Sequence, residues 1–485
     1  MPTAEANGPT KIISKMVHKR SKGSIMKPLL IKPLLLSLCI SATTLTLTGC
    51  GGADTTINEK DPIASEEGDD HNHGGGVPNG VAAGRLLVVN PTDTQADVFD
   101  LADNDLITTV ALDAVPSAVH ATGGFRFAAL VERSADTVGF IDGGLFQEPH
   151  DDHFDTFMQM PALSNFTLTG SRPTHFVTHE GQSAVFLDGD AATGANAGVQ
   201  ILNDSMIERA EAPATVTFSM SMHGVAEPRG EHLITSLRRE DAQSTSANTV
   251  LPDQVGVYQR QDGEYTLEQT FDVTCPDLHG AAQNENHIVF GCSDGVLLVT
   301  DNGNDTFSAQ KIPNSDAVAQ GLRIGSLWGH HDSAQFIGQA SSRTSDTIQF
   351  FAINPVDNTM ALIDWQPETD ATPVSRSFAY EAEQFVILDD KGYLSVIEPN
   401  DRDGQTLWEF GEKMLITDAD LSQMPEGMRL SMTTAQNAHI VYVADPIAQH
   451  IRKINVDMLM AEGDIELTYA PAMITWLGIA QTHSE

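Results

Sequence analysis

Positive charge is scarce in this chain: 27 Lys and Arg stand against 66 Asp and Glu over 485 residues, a formal net charge of −39. Residues 1–49 hold seven of the basic and one of the acidic residues, which leaves 20 against 65, or −45, for the rest. A surface of that sign repels phosphate backbones and excludes nucleic acid as a partner. It also gathers cations, and it is what a saline habitat selects for solubility. Cysteine is nearly absent, with four in all. No apolar run reaches the roughly 18 to 20 residues of a membrane span. Helical periodicity is almost missing, the best stretch being about Val456 to Ala461. Neither a dinucleotide fingerprint nor a serine nucleophile elbow is read, so the nicotinamide and serine-hydrolase classes fall away.

What remains is strand. Short apolar runs such as Arg85–Asn90, Phe127–Val131, Val138–Asp142 and Ala184–Asp188 are of strand length and are broken by Asp, Asn and Gly. They recur in eight units of about 50 residues: 83–115, 116–166, 167–217, 218–274, 275–319, 320–368, 369–424 and 425–470. A repeat of that length predicts an all-β chain closed into a β-propeller over 83–485, with eight blades, or seven if one unit is divided wrongly. Each blade then buries its faces against its neighbours, so the ring is one domain.

The N-terminus reads as an address. Met26–Cys50 has a charged start at Lys27 and Lys32, an apolar run from Leu34, and the ending Leu47-Thr48-Gly49-Cys50. That ending resembles a lipobox, which implies a signal peptide over 1–49 with its true start at Met26. It further implies a lipidated Cys50 and a protein anchored in the bacterial periplasm, touching membrane only through that lipid. Residues 50–82 are rich in Gly, Asp and Glu and cannot bury enough apolar surface to order themselves, so a flexible acidic tether is expected. It carries His71 and His73 beside Asp69 and Asp70, a weak metal-binding pattern. With Cys39 and Cys50 used, Cys275 and Cys292 form the one remaining pair. A disulfide is the natural reading in an oxidising compartment, and thiolate ligation beside His279 is the rival.

Four histidines, His175, His223, His279 and His330, recur at intervals of 48, 56 and 51 residues near the starts of successive units. Equivalent blade positions line adjacent sectors of one channel mouth, so these imidazoles are expected to converge as a transition-metal site. An insertion in the second unit, running to Glu148-Pro149-His150-Asp151-Asp152-His153-Phe154-Asp155, sets two more histidines among four carboxylates. Folded over that mouth it supplies further ligands. Nitrogen and oxygen donors in such numbers suit Zn(II); a hard cation takes oxygen alone.

At these residues the sequence resembles the AztD-type periplasmic zinc metallochaperones. The resemblance rests on the acidic-His insertion after Gly144-Leu145-Phe146, on Gly170–His175, His223-Gly-Val-Ala, Cys275–Gly280, Phe290–Leu298, Lys311-Ile-Pro and Gly329-His330, in order over 83–400. It implies a monomeric, non-enzymatic propeller that binds periplasmic zinc and hands it to the solute-binding protein of a zinc ABC importer. It also implies His150, His153, His175, His223, His279 and His330 as ligands or their neighbours, and Cys275–Cys292 as the disulfide. The His-rich N-terminal segment of the family is reduced here to His71 and His73. Two other readings are open: a zinc-dependent hydrolase using Asp151, Asp152 or Asp155 as base, and a non-catalytic scaffold for protein partners.

Overall fold

A computed structural model describes residues 83–150, 153–239 and 250–480. The expected signal peptide, Cys50, and the expected tether with His71 and His73 lie outside the described residues, as do Asp151 and Asp152. The rest forms eight four-stranded antiparallel sheets and one two-stranded hairpin.

The eight sheets are the blades of a propeller. Second and third strands have neighbours on both sides, and period-2 alternation sends successive side chains to opposite blades. In His287–Cys292, Ile288 and Phe290 pack with Ile234 and Val255 of the fourth blade, whereas Val289 packs with Ile324 and Phe336 of the sixth. The same arrangement recurs round the ring, with one apolar core between every adjacent pair of blades. Such strands read as continuous apolar runs, Arg85–Asn90 being buried along its whole length, because both of their faces are interior. Each fully buried Ile or Phe contributes about 1.5–3 kcal/mol.

Closure uses a segment beyond the last predicted unit. Ile474–Leu477 pairs antiparallel with Arg85–Val88 and supplies the innermost strand of the first blade, which the sequence leaves with only three. Trp476, 1% exposed, locks it between the first and eighth blades and donates its indole N–H to the Ala83 carbonyl. The one α-helix among the described residues is Asp204–Glu208, capped by Asn203. Val456–Ala461, the best helical candidate by periodicity, is the turn after the third strand of the eighth blade and the first two residues of the fourth.

Strand direction fixes what shares a mouth of the channel. The turn entering each innermost strand and the turn leaving each second strand lie on one face of the ring. The turns leaving innermost strands and those joining third to fourth strands lie on the other. The inserted hairpin Leu145–His150 and His153–Met158 joins the third strand of the second blade, Thr137–Asp142, to its fourth, Ala162–Thr169. It therefore belongs to the second face, and Arg85 ties its base there through the Gln159 carbonyl.

Candidate metal centre

Three of the predicted histidines meet. The Nε2 atom of His223 lies 3.3 Å from Nε2 of His175 and 3.3 Å from Nε2 of His279, and one nitrogen from each ring lies within 4.8 Å of the others. His175 belongs to the innermost strand of the third blade, Pro173–His179, where a slip in pairing between Pro173 and His175 marks a bulge. Bulges re-aim side chains. His223 and His279 stand just before the innermost strands Ala226–Arg229 and Ala281–Gln283. Each is followed by glycine for a steric reason: a Cβ on Gly224 would stand 2.4 Å from Ser236 Oγ, and one on Gly280 would stand 2.7 Å from the Gly325 carbonyl. Gly280 also adopts φ +75°.

The outer nitrogens fix the inner ones. His279 Nδ1 lies 2.7 Å from the Gly325 carbonyl oxygen, which only accepts, so Nδ1 carries the proton and Nε2 a lone pair. His223 Nδ1 lies 3.1 Å from Asp188 Oδ2. Burial opposes ionisation of Asp188, but hydrogen bonds from His223 and Arg133 prevail and hold its carboxyl below the usual range. Arg133 Nη2 donates to it at 2.9 Å, and the same guanidinium reaches Thr174, next to His175. With both rings neutral, the Nε2 lone pairs of His223 and His279 face each other at 3.3 Å, an arrangement that a cation between them relieves. Tetrahedral zinc with Zn–N bonds of 2.0–2.1 Å places its nitrogens about 3.3–3.4 Å apart. The donors fit zinc, with a carboxylate and a carbonyl orienting the rings as outer partners of zinc sites do.

Burial pushes the His175 imidazole down to about 4, and the neighbouring His223 and His279 add to the effect; burial lowers His279 as well. Neutral imidazole is the ligating form, so protons compete at His175 only well below the ordinary imidazole range.

His330 is not part of this cluster. It follows the innermost strand of the sixth blade, Arg323–Trp328, instead of preceding it. It lies five residues beyond Gly325, whose carbonyl touches His279, and five extended residues span about 16 Å. The near-regular interval from His279 misleads because the fifth blade is compact. Arg323 holds the equivalent place, donating to the Asp277 carbonyl at 2.8 Å. His150 and His153 pair across the tip of the hairpin on the opposite face, so topology removes them from the three-histidine mouth; their side chains lie outside the described residues.

Sequence reasoning missed Asp188, Arg133 and His120. Asp188 closes a second strand, as Asp389 and Asp445 do in other blades, and reads as a turn residue there. His120 precedes His175 by one repeat length, so the repeat did carry that signal. It sits in the channel wall, stacked on Phe176 with 5.4 Å between ring centroids, and burial lowers it to about 4. The letters Gly291-Cys292-Ser293-Asp294-Gly295 do spell the nucleophile-elbow pattern, against the sequence reading. They form a β-hairpin between His287–Cys292 and Gly295–Asp301, whereas an elbow needs a strand-to-helix turn. Cys292 is joined there to Cys275, with 4.9 Å between the Cα atoms.

A cleft of about 980 Å³ opens beside the imidazoles, lined by Asp188, His223, Asp277, Arg323 and Arg343 among others. Fold and site thus define an eight-bladed propeller with a three-imidazole centre at one channel mouth.

No family model matches the chain. It is 24% identical over 408 residues to the zinc chaperone AztD of Citrobacter koseri, spanning 82% of this chain and 87% of that protein. The crystal structure of Citrobacter koseri AztD superposes with a TM-score of 0.66 at 23% identity, covering 82% of this chain and 99% of that one. The apo form of AztD gives 0.66 at 22% identity, covering 83% and 100%. The resemblance read from the motifs therefore extends over the whole propeller.

Proposed function

We propose that this protein is a zinc metallochaperone of the bacterial periplasm, anchored through a lipidated Cys50, that passes Zn(II) to the solute-binding protein of a zinc ABC importer. The carrying observation is the convergence of His175, His223 and His279, with Nε2 of His223 3.3 Å from Nε2 of each of the others and the outer nitrogens of His223 and His279 already engaged. Likeness to a protein named a zinc chaperone supports the reading. A carrier has to win zinc and then release it. Preorganised imidazoles serve the first need, and the cleft beside His223 admits an incoming ligand for stepwise exchange. Asp188, the carboxylate in contact with His223, is held by Arg133 and His223, so it orients that imidazole and is not free to act as a hydrolytic base.

The test is transfer. Protein beginning at Gly51 and loaded with one zinc should deliver it to a periplasmic zinc-binding acceptor faster than a chelator of equal affinity removes it. Rates equal for acceptor and chelator would mean passive release and would count against a chaperone.

A further inference from the structure

A second cluster lies far from the first, in the blade diametrically opposite His223. In the eighth blade, His450 opens the third strand, His450–Asn455, and pairs directly with Glu466 at the end of the fourth, Met460–Glu466. Asp464 stands two residues before Glu466, so all three side chains rise on one face of the hairpin. One nitrogen of His450 and one oxygen from each carboxylate lie within 4.8 Å of one another.

The second observation is the state of His450 itself. It is only 9% exposed, and its Nε2 has no hydrogen-bond partner. On its other side, directly across the sheet, is Asp445, wholly buried, whose Oδ2 also lacks a partner while Oδ1 caps the turn through Ile447 and Ala448. Buried polar atoms are rarely left unsatisfied. Arg452 donates to Asp464 Oδ1 at 3.1 Å and also reaches the Ile416 carbonyl, which leaves Asp464 Oδ2 for a ligand. The nearby Lys453 is paired with Glu462.

We infer that His450, Asp464 and Glu466 form a second, weaker binding site for a borderline divalent cation of the zinc type. The nitrogen donor disfavours calcium and magnesium, which take oxygen ligands. Exposure of both carboxylates and the positive charge of Arg452 make it weaker than the buried imidazole centre. It lies on the same face of the ring as that centre, since strand-two exits and third-strand entries share that mouth.

Zinc alone is the probe, titrated by calorimetry with metal content measured after equilibrium dialysis. Wild type should bind two zinc ions of different affinity. Glu466→Gln, at an exposed position that leaves the fold intact, should weaken only the lower-affinity event by at least about tenfold; Asp464→Asn should do the same. His223→Ala should retain this event while losing the other. A wild type showing the tight event alone, or a weaker event unaltered in both carboxylate variants, overturns the assignment. Loss of the tight event from wild type would instead remove the chaperone reading and leave this site standing.

Discussion

His223→Ala loses tight zinc binding, by well over a hundredfold, while the propeller stays folded. Its Nε2 is the atom that stands 3.3 Å from both of the other two, so removing it leaves His175 and His279 as an incomplete pair. Losing an outer partner of a zinc ligand typically costs 10- to 100-fold in affinity, and losing a ligand costs more. The side chain is 32% exposed at the mouth and packs in none of the inter-blade cores, so little stability goes with it. His330→Ala is the matched control and should bind zinc as wild type does. Competition against a chromogenic chelator reads both variants; equal affinity in His223→Ala and His330→Ala would place the centre elsewhere.

Replacing both Cys275 and Cys292 by serine should have the largest effect on stability, about 3 kcal/mol, the chain-entropy value for a loop closed over 17 residues. Both sulfurs are fully buried in the core between the fourth and fifth blades, with Leu278 and Phe290. The loss has a functional side. The bridge holds the segment that carries His279, whose backbone N–H donates to the Gly291 carbonyl at 3.0 Å. Loosening that segment moves one of the three imidazoles, so zinc affinity should fall together with the denaturation midpoint. A double-serine protein with an unchanged midpoint would show that blade packing alone fixes the loop.

Much of the architecture was legible because a propeller repeats. Strand runs ending in Asp or Asn mark many of the blades, and the histidine interval brings three imidazoles together because three of the four stand at or just before the start of their innermost strands. The fourth shows the limit of spacing: interval counts residues, whereas position depends on where the strand begins. His330 lies after its strand and belongs to the other mouth. The hairpin with His150 and His153 lies on the other face for a related reason, since it joins a third strand to a fourth. Closure by Ile474–Leu477 was hidden because so short a strand at one end of the propeller carries no sign of a partner at the other end. Asp188 was visible as a strand terminus, but its hold on His223 depends on contact between successive blades, which no local pattern encodes.

Three imidazole nitrogens are expected to hold the zinc. X-ray absorption at the zinc edge, on protein carrying one equivalent of zinc, measures this directly. The expected spectrum has nitrogen and oxygen neighbours at about 2.0–2.1 Å with the outer scattering of three imidazoles. A shell containing sulfur at about 2.3 Å, or one of oxygen alone without imidazole scattering, would contradict it.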